Sequence, residues 1–255
     1  MRITLIGSGN VATHLGAALK NAGHQIVQVY SRGAQNAALL AYHIKAEPTA
    51  DLWQITPDTD LFIISVNDDA IDSMAAALAV HQKPIVHTSG AAALQVLLKY
   101  TDQAGVFYPL QTFSKNKEIY FRKVPLCIEG AYEDLTIELI QLAQTISNKV
   151  SIVNSDQRKI LHLSGVFACN FPNYLYHAAQ QLLAQHNLDF NLLRPLIAET
   201  AQKVEHRMPA DVQTGPATRG DEKTMAAHLN LLQNEPDLKE IYVLLSQAII
   251  KMGQR

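Results

Sequence analysis

The chain has 255 residues, 48% hydrophobic and 17% charged, with a formal net charge of −2 at pH 7. That length is enough to bury a substantial core in one large domain or two modest ones. Without a Lys/Arg cluster there is no surface for nucleic acid, and no apolar run reaches the roughly eighteen residues of a membrane span.

Residues 2–6, RITLI, form a short apolar run that reads as a strand. It starts at once, leaving no room for a targeting peptide, so a cytoplasmic protein is expected. Gly7, Ser8, Gly9, Asn10, Val11 and Ala12 follow, and then an amphipathic helix with Val11, Leu15, Ala18 and Leu19 at helical spacing, stopped by Gly23. QIVQVYS, residues 25–31, is a second strand. Strand, Gly-x-Gly-x-x-Ala turn, helix and strand make up the context of a dinucleotide fingerprint. In that context Gly7 permits the tight turn, Gly9 lets the backbone approach a pyrophosphate, and Ala12 allows close helix–strand packing. Free N–H groups at the helix start would hold the phosphates. The bland alternative is a turn of the same shape that holds no nucleotide.

An NAD-selective site places Asp or Glu about 20 residues past the glycines. Here the second strand ends in Tyr30, Ser31 and Arg32, with no carboxylate until Glu47. A hydroxyl and a forked cation suit a 2′-phosphate, so NADP(H) is the expected cofactor. An exposed arginine after a strand is the ordinary alternative.

Strands are expected at 60–66, 84–90, 104–113, 124–130 and 149–154, with helices at 68–79 and 132–147. The alternation predicts a doubly wound parallel sheet of Rossmann type, whose carboxyl edge carries the ligand site. Val66, Asn67, His87, Thr88, Ser89 and the segment 108–111 fall at that edge. After Asn154 no strand is expected. A helical pattern runs from Ser155 to about His186, broken only by Pro172, and further helices are expected at 192–206 and 237–253. The reading is therefore a dinucleotide-binding domain, 1–154, followed by an all-helical domain, 155–255, for substrate and dimerisation. The apolar stretch 166–176 is too hydrophobic to leave exposed, and a homodimer is expected. Cys127 and Cys169 lack any C-x-x-C or Cys/His ligand spacing, so neither a disulfide framework nor a metal site is expected.

At about 100° per residue, His162, Val166, Cys169 and Asn173 share a narrow face of the long helix, with Asn170 about 80° from His162. Imidazole and amide on one stripe can orient a carbonyl and protonate it, with Ser89 as a further substrate contact. Equally, His162 can be a hydrogen-bonded core residue. The loop TGPATRGDEKTMAAH, residues 214–228, reads as irregular up to Gly220, with Asp221 capping the next helix. It is either a solvated connector or the wall of an anionic pocket in which Arg219 grips a carboxylate.

GSGNVATHL, HTSG, H-x7-N and TGPATRGDEKT…H together resemble a family that joins an NADP-oxidoreductase (coenzyme F420-dependent type) Rossmann domain to a C-terminal domain of unknown function 2520. The resemblance spans nearly the whole chain. It implies kinship with pyrroline-5-carboxylate reductases, ketopantoate reductases, hydroxyacid dehydrogenases and 6-phosphogluconate dehydrogenase-like proteins, whose helical second domain contacts substrate and usually dimerises. It matches Gly7, Gly9, Asn10, Val11 and Ala12 to the cofactor turn, and His162 and Asn170 to a His/Asn helix motif. Thr214, Gly215, Pro216, Arg219, Asp221, Thr224 and His228 match its loop. Tyr108 stands where the family pattern has a histidine and is assigned no proton-transfer role. No lysine occupies the place hydroxyacid dehydrogenases give theirs; His162 stands there instead. Two readings follow: an NADP-dependent reductase of a small carbonyl or imine metabolite, such as a ketopantoate-like 2-oxo acid, or a non-catalytic NADPH sensor.

Overall fold

The structure is a computed structural model and describes residues 1–253. The chain divides into two compact units, residues 1–170 and the residues from 171 on.

In the first unit, β1 (Arg2–Ile6), β2 (Gln25–Tyr30), β3 (Glu47–Thr49), β4 (Leu61–Ile64), β5 (Ile85–His87), β6 (Ala104–Pro109), β7 (Leu126–Gly130) and β8 (Val150–Ile152) form one sheet of order β3-β2-β1-β4-β5-β6-β7-β8. The central strands are apolar along their whole length, because both faces are covered. One face packs Leu5, Val29, Ile63 and Phe107 against α1 (Asn10–Asn21), α2 (Ala34–Ile44) and α5 (Glu133–Ile146). The other packs Ile6, Phe62, Ile64 and Val106 against α3 (Ile71–Leu78) and α4 (Gln95–Leu98). Chain order reverses between β1 and β4, so the crevice at their carboxyl ends is the switch point where open α/β sheets take ligands.

Three features depart from the sequence pattern. No element is expected between residues 32 and 60, yet α2 and β3 lie there. The helix is alanine-rich with little polar contrast, and β3 is a three-residue edge strand carrying Pro48, which only an edge tolerates. The sheet is mostly rather than wholly parallel: β7 pairs antiparallel to β6, Pro109 opposite Leu126 and Gly105 opposite Gly130, and β8 follows β7 in parallel. The chain from β6 to β7 holds a loop and one short 3-10 turn at Phe121–Lys123, with no crossover helix to return it to the starting edge.

Third, the long helix is not continuous. It comprises α6 (Ser155–Gly165), a π-helical turn at Val166–Asn170 and α7 (Phe171–Gln185). Pro172 has no N–H, and its ring crowds the carbonyl four residues back; the wider turn just before it relieves that conflict. The last strand ends two residues before the expected boundary at Asn154, while the compact units part at Asn170/Phe171.

The second unit contains α7, α8 (Arg194–His206), α9 (Pro216–Arg219), α10 (Glu222–Leu231) and α11 (Pro236–Met252). The segment expected to be irregular up to Gly220 thus holds one helical turn, started by Pro216 and closed by Gly220 in the left-handed region. Among its described residues only Ala178, Ala217 and Leu232 are buried hydrophobics, and Leu192, Leu196, Met208, Leu231 and Leu244 are all more than half exposed.

Candidate functional site

The β1–α1 turn combines two glycines with different tasks. Gly7 has φ +120, and a Cβ there would lie 2.2 Å from the Ser65 carbonyl oxygen, so the fold itself demands glycine. Gly9 has an ordinary φ of −76, and a Cβ on it would meet no described atom within 4 Å. Among the described residues nothing requires its smallness, and the space in front of it is open. Gly9 is also the N-cap of α1 and offers no side-chain partner to the first free N–H groups.

A cleft of about 420 Å³ opens there, lined by Gly7, Ser8, Gly9, Ser31, Arg32, Val66, Asn67 and Lys115, among others. Ser8 Oγ donates to Ser31 Oγ at 2.8 Å, tying the turn to the end of β2. Of the expected cofactor residues, Asn10, Val11 and Ala12 are not among its lining. Ala12 is buried in the core, and Asn10 Nδ2 donates to the Phe113 carbonyl at 3.0 Å. Together with His14, whose Nε2 lies 2.9 Å from the Ser114 carbonyl and whose ring stacks on Phe113, that contact holds the β6–β7 loop over the start of α1. Lys115, absent from the sequence-derived set, reaches the cleft from this loop. Its signal was invisible because no motif links residue 115 to residue 9. Two cations and a row of open N–H groups fit an anionic dinucleotide.

A second cleft, of about 370 Å³, lies at the carboxyl end of β6. Tyr108, Leu110, Gln111, His162, Cys169 and Asn170 contribute to it. One α turn followed by one π turn takes about eight residues. The π turn therefore brings Asn170 onto the same face as His162, closer than the 80° offset of a regular helix, and the H-x7-N spacing matches this geometry. His162 is exposed, and its Nδ1 lies 3.2 Å from the Tyr108 hydroxyl, with the rings edge-on. Tyr108 is buried; burial first, and then nearby Cys127, raises its pKa, so the phenol stays neutral. Gly90 allows the contact, since a Cβ there would lie 2.5 Å from His162 Nδ1 and 2.9 Å from Tyr108 Cζ.

Behind this cleft, wholly buried Arg158 fixes α6 to the sheet. It is ion-paired with Glu129 of β7 at 2.5 Å, donates to the carbonyls of Ser89 (3.2 Å) and Ala92 (2.6 Å), and bonds Ser155 Oγ. Arg158 was not singled out from sequence, although it precedes His162 by one helical turn. Ser89 does not line the cleft with His162: its Oγ accepts the N–H groups of Ala91 and Ala92, shaping the loop. His87 has no exposed surface. Its Nδ1 accepts from Ser89 N–H at 3.1 Å, and Nε2 has no partner among the described residues. Burial pushes its pKa down to about 4, with Arg158 adding to the shift.

In the second unit, Asp221 caps α10 as expected, accepting from Thr224 N and Oγ1, and the Thr224 N–H holds the carboxyl below its usual range. His228 Nδ1 meets Tyr242 Oη at 2.9 Å. Arg219 ends α9 and is exposed. Among the described residues there is no cluster of three potential metal ligands and no helix long and apolar enough to cross a membrane.

A switch-point cleft on a Gly-x-Gly turn defines a Rossmann-like α/β protein. Residues 1–112 match the Rossmann-like domain and residues 124–249 the domain of unknown function DUF2520. The chain belongs to the family that joins these two domains. It is 41% identical to a Bacteroides fragilis protein provisionally named an NADP oxidoreductase, with 98% of each chain covered and a TM-score of 0.92. An imine reductase from Myxococcus stipitatus in complex with NADP+ shares the fold at 16% identity and TM-score 0.65, over 98% of this chain and 92% of that one. A pyrroline-5-carboxylate reductase from Coxiella burnetii does so at 16% and 0.58, over 99% and 97%. No curated protein matches the sequence.

Proposed function

We propose that the protein is an NADP(H)-dependent reductase of a small carbonyl or imine metabolite, with ketopantoate-like 2-oxo acids among the first substrates to try. We also propose that it acts as a cytoplasmic homodimer. The carrying observation is the pairing of two clefts on one sheet edge. One is an open Gly9 turn with Arg32 and Lys115; the other is lined by both His162 and Asn170. The names of the relatives at 41% and 16% identity support the same chemistry.

Bound NADPH supplies a hydride. The free N–H groups of α1 would receive its diphosphate, and Ser31 with Arg32 its 2′-phosphate. As negative charge grows on the substrate oxygen or nitrogen, the His162 imidazole protonates that atom as a general acid. Asn170 donates an amide hydrogen bond to the substrate from the same side. Arg219 enters on its chemistry alone, as a forked ligand for a substrate carboxylate. Free Cys127 and Cys169 suit a reducing compartment, and the exposed leucines of the second unit suit a self-association surface.

The test is oxidation of NADPH against a panel of 2-oxo acids and cyclic imines. With a substrate in hand, His162→Gln is expected to lower turnover by roughly 10²–10⁴-fold and leave NADPH affinity unchanged. Normal turnover in that variant removes His162 from the chemistry. Tight NADPH binding with no substrate reduced overturns the reductase reading in favour of a sensor.

A further inference from the structure

The Tyr108 side chain is buried, its hydroxyl sits in a half-buried setting, and among the described residues its one hydrogen-bond partner is His162 Nδ1, at 3.2 Å. A phenol O–H is a better donor than acceptor, and Nδ1 is the one acceptor it meets among the described residues, so donation to Nδ1 is the favoured direction. A neutral imidazole that accepts at Nδ1 carries its proton on Nε2. His162 is exposed, and its Nε2 makes no hydrogen bond among the described residues.

We propose that Tyr108 is a positioning residue for His162, holding the ring edge-on with Nδ1 turned inward and the protonated Nε2 presented to the cleft. The role rests on the reading of His162 as the proton donor. A phenol suits it better than a carboxylate. Its oxygen donates to Nδ1 of the neutral ring, and after rotation of the O–H it accepts from Nδ1–H of the imidazolium, so the contact survives both protonation states. In the reductive direction the imidazolium passes its Nε2 proton to the substrate heteroatom. The N–H bond breaks, an O–H or N–H bond forms, and the neutral ring then carries its remaining proton on Nδ1. Solvent returns a proton to Nε2 and regenerates the imidazolium, whose Nδ1–H the Tyr108 oxygen accepts. When the imidazolium instead loses its Nδ1 proton to solvent, the neutral resting ring is left with Nε2–H and an inward-facing acceptor. Gly90 belongs to the same device, because any side chain there would strike both rings.

The experiment reads the tautomer directly in the full-length protein, without cofactor or substrate. Histidine is labelled with 15N, and the His162 signal is assigned by its loss in His162→Gln. The neutral ring is expected as the Nε2–H tautomer in the unmutated protein and as a mixture in Tyr108→Phe. Nδ1–H in the unmutated protein, or an unchanged single tautomer in Tyr108→Phe, overturns the proposal. Once a substrate is known, Tyr108→Phe should lower kcat roughly tenfold, displace the pH profile of kcat and leave NADPH affinity alone. A pH profile identical to that of the unmutated protein counts against the role. If the tautomer result holds and nothing is ever reduced, the reductase reading fails while the Tyr108–His162 arrangement stands.

Discussion

Arg158 and Glu129 form an ion pair in which the guanidinium has no exposed surface and the carboxylate little. Glu129 also accepts from the N–H and Oγ of Ser155, so α6 is tied to β7 at its first turn by a network with few free positions. Removing one member of such a pair leaves a buried charge without its partner. Glu129→Ala is therefore expected to cost about 3–5 kcal/mol, and the double change Arg158→Met with Glu129→Leu less than that single change. Urea unfolding checks this; a loss under about 1 kcal/mol for Glu129→Ala contradicts the network.

His87 sets an acid limb on stability. Its folded pKa, about 4, lies below the ordinary 6.5. Between those values the unfolded chain binds a proton that the folded chain refuses. The stability contributed by the neutral ring is thus complete above pH 6.5 and declines as pH falls towards 4, by about 3 kcal/mol in all. His87→Asn keeps an acceptor beside the Ser89 N–H and removes the titration. Its unfolding midpoint should fall less steeply over that window, and parallel slopes for the two proteins would refute the assignment.

Gly9 separates folding from binding. A Cβ there meets no described atom within 4 Å, so Gly9→Val should change stability by no more than about 1 kcal/mol, the scale of an N-cap change. NADPH titration should nonetheless show binding abolished. Retained affinity would mean that the space in front of the turn is not the diphosphate site.

Arg32 decides between the two nicotinamide dinucleotides. Arg32→Ala is expected to weaken NADPH by about 1.5–3 kcal/mol more than NADH. Equal affinities of the unmutated protein for both would sink the preference.

The second unit buries almost none of its long apolar side chains within the chain, although α11 alone exposes Leu244 and Leu245. Light scattering at micromolar concentration is expected to give twice the chain mass. A monomer under those conditions argues against the homodimer.

Much of the first unit was legible because its signals are local. An apolar run, a glycine turn and a helix stopped by Gly23 all lie within 23 residues, and each was where the pattern put it. The edge strand β3 was not legible, since three residues containing a proline carry no alternation. The reversal at β7 was hidden because strand direction depends on how the connection crosses the sheet, which composition does not record. His162 and Asn170 were singled out by residue type and line one cleft, but a regular helix misjudged the angle between them. Lys115 and Arg158 were missed for another reason. One acts through a loop 106 residues from the turn it approaches, and the other looks in sequence like any surface arginine on a helix.

The reversed strands decide where the following helix travels. After a strand parallel to β1, a helix runs back from the carboxyl edge and carries its side chains away from the ligand crevice. Because β7 and β8 point the other way, the chain leaves β8 low on the sheet, and α6 climbs. Its first turn is anchored at Glu129, opposite Val106, while His162 two turns later reaches Tyr108, two residues higher on β6. The antiparallel step is thus a change of gradient. It turns a helix that would descend from the crevice into one that delivers a histidine to it.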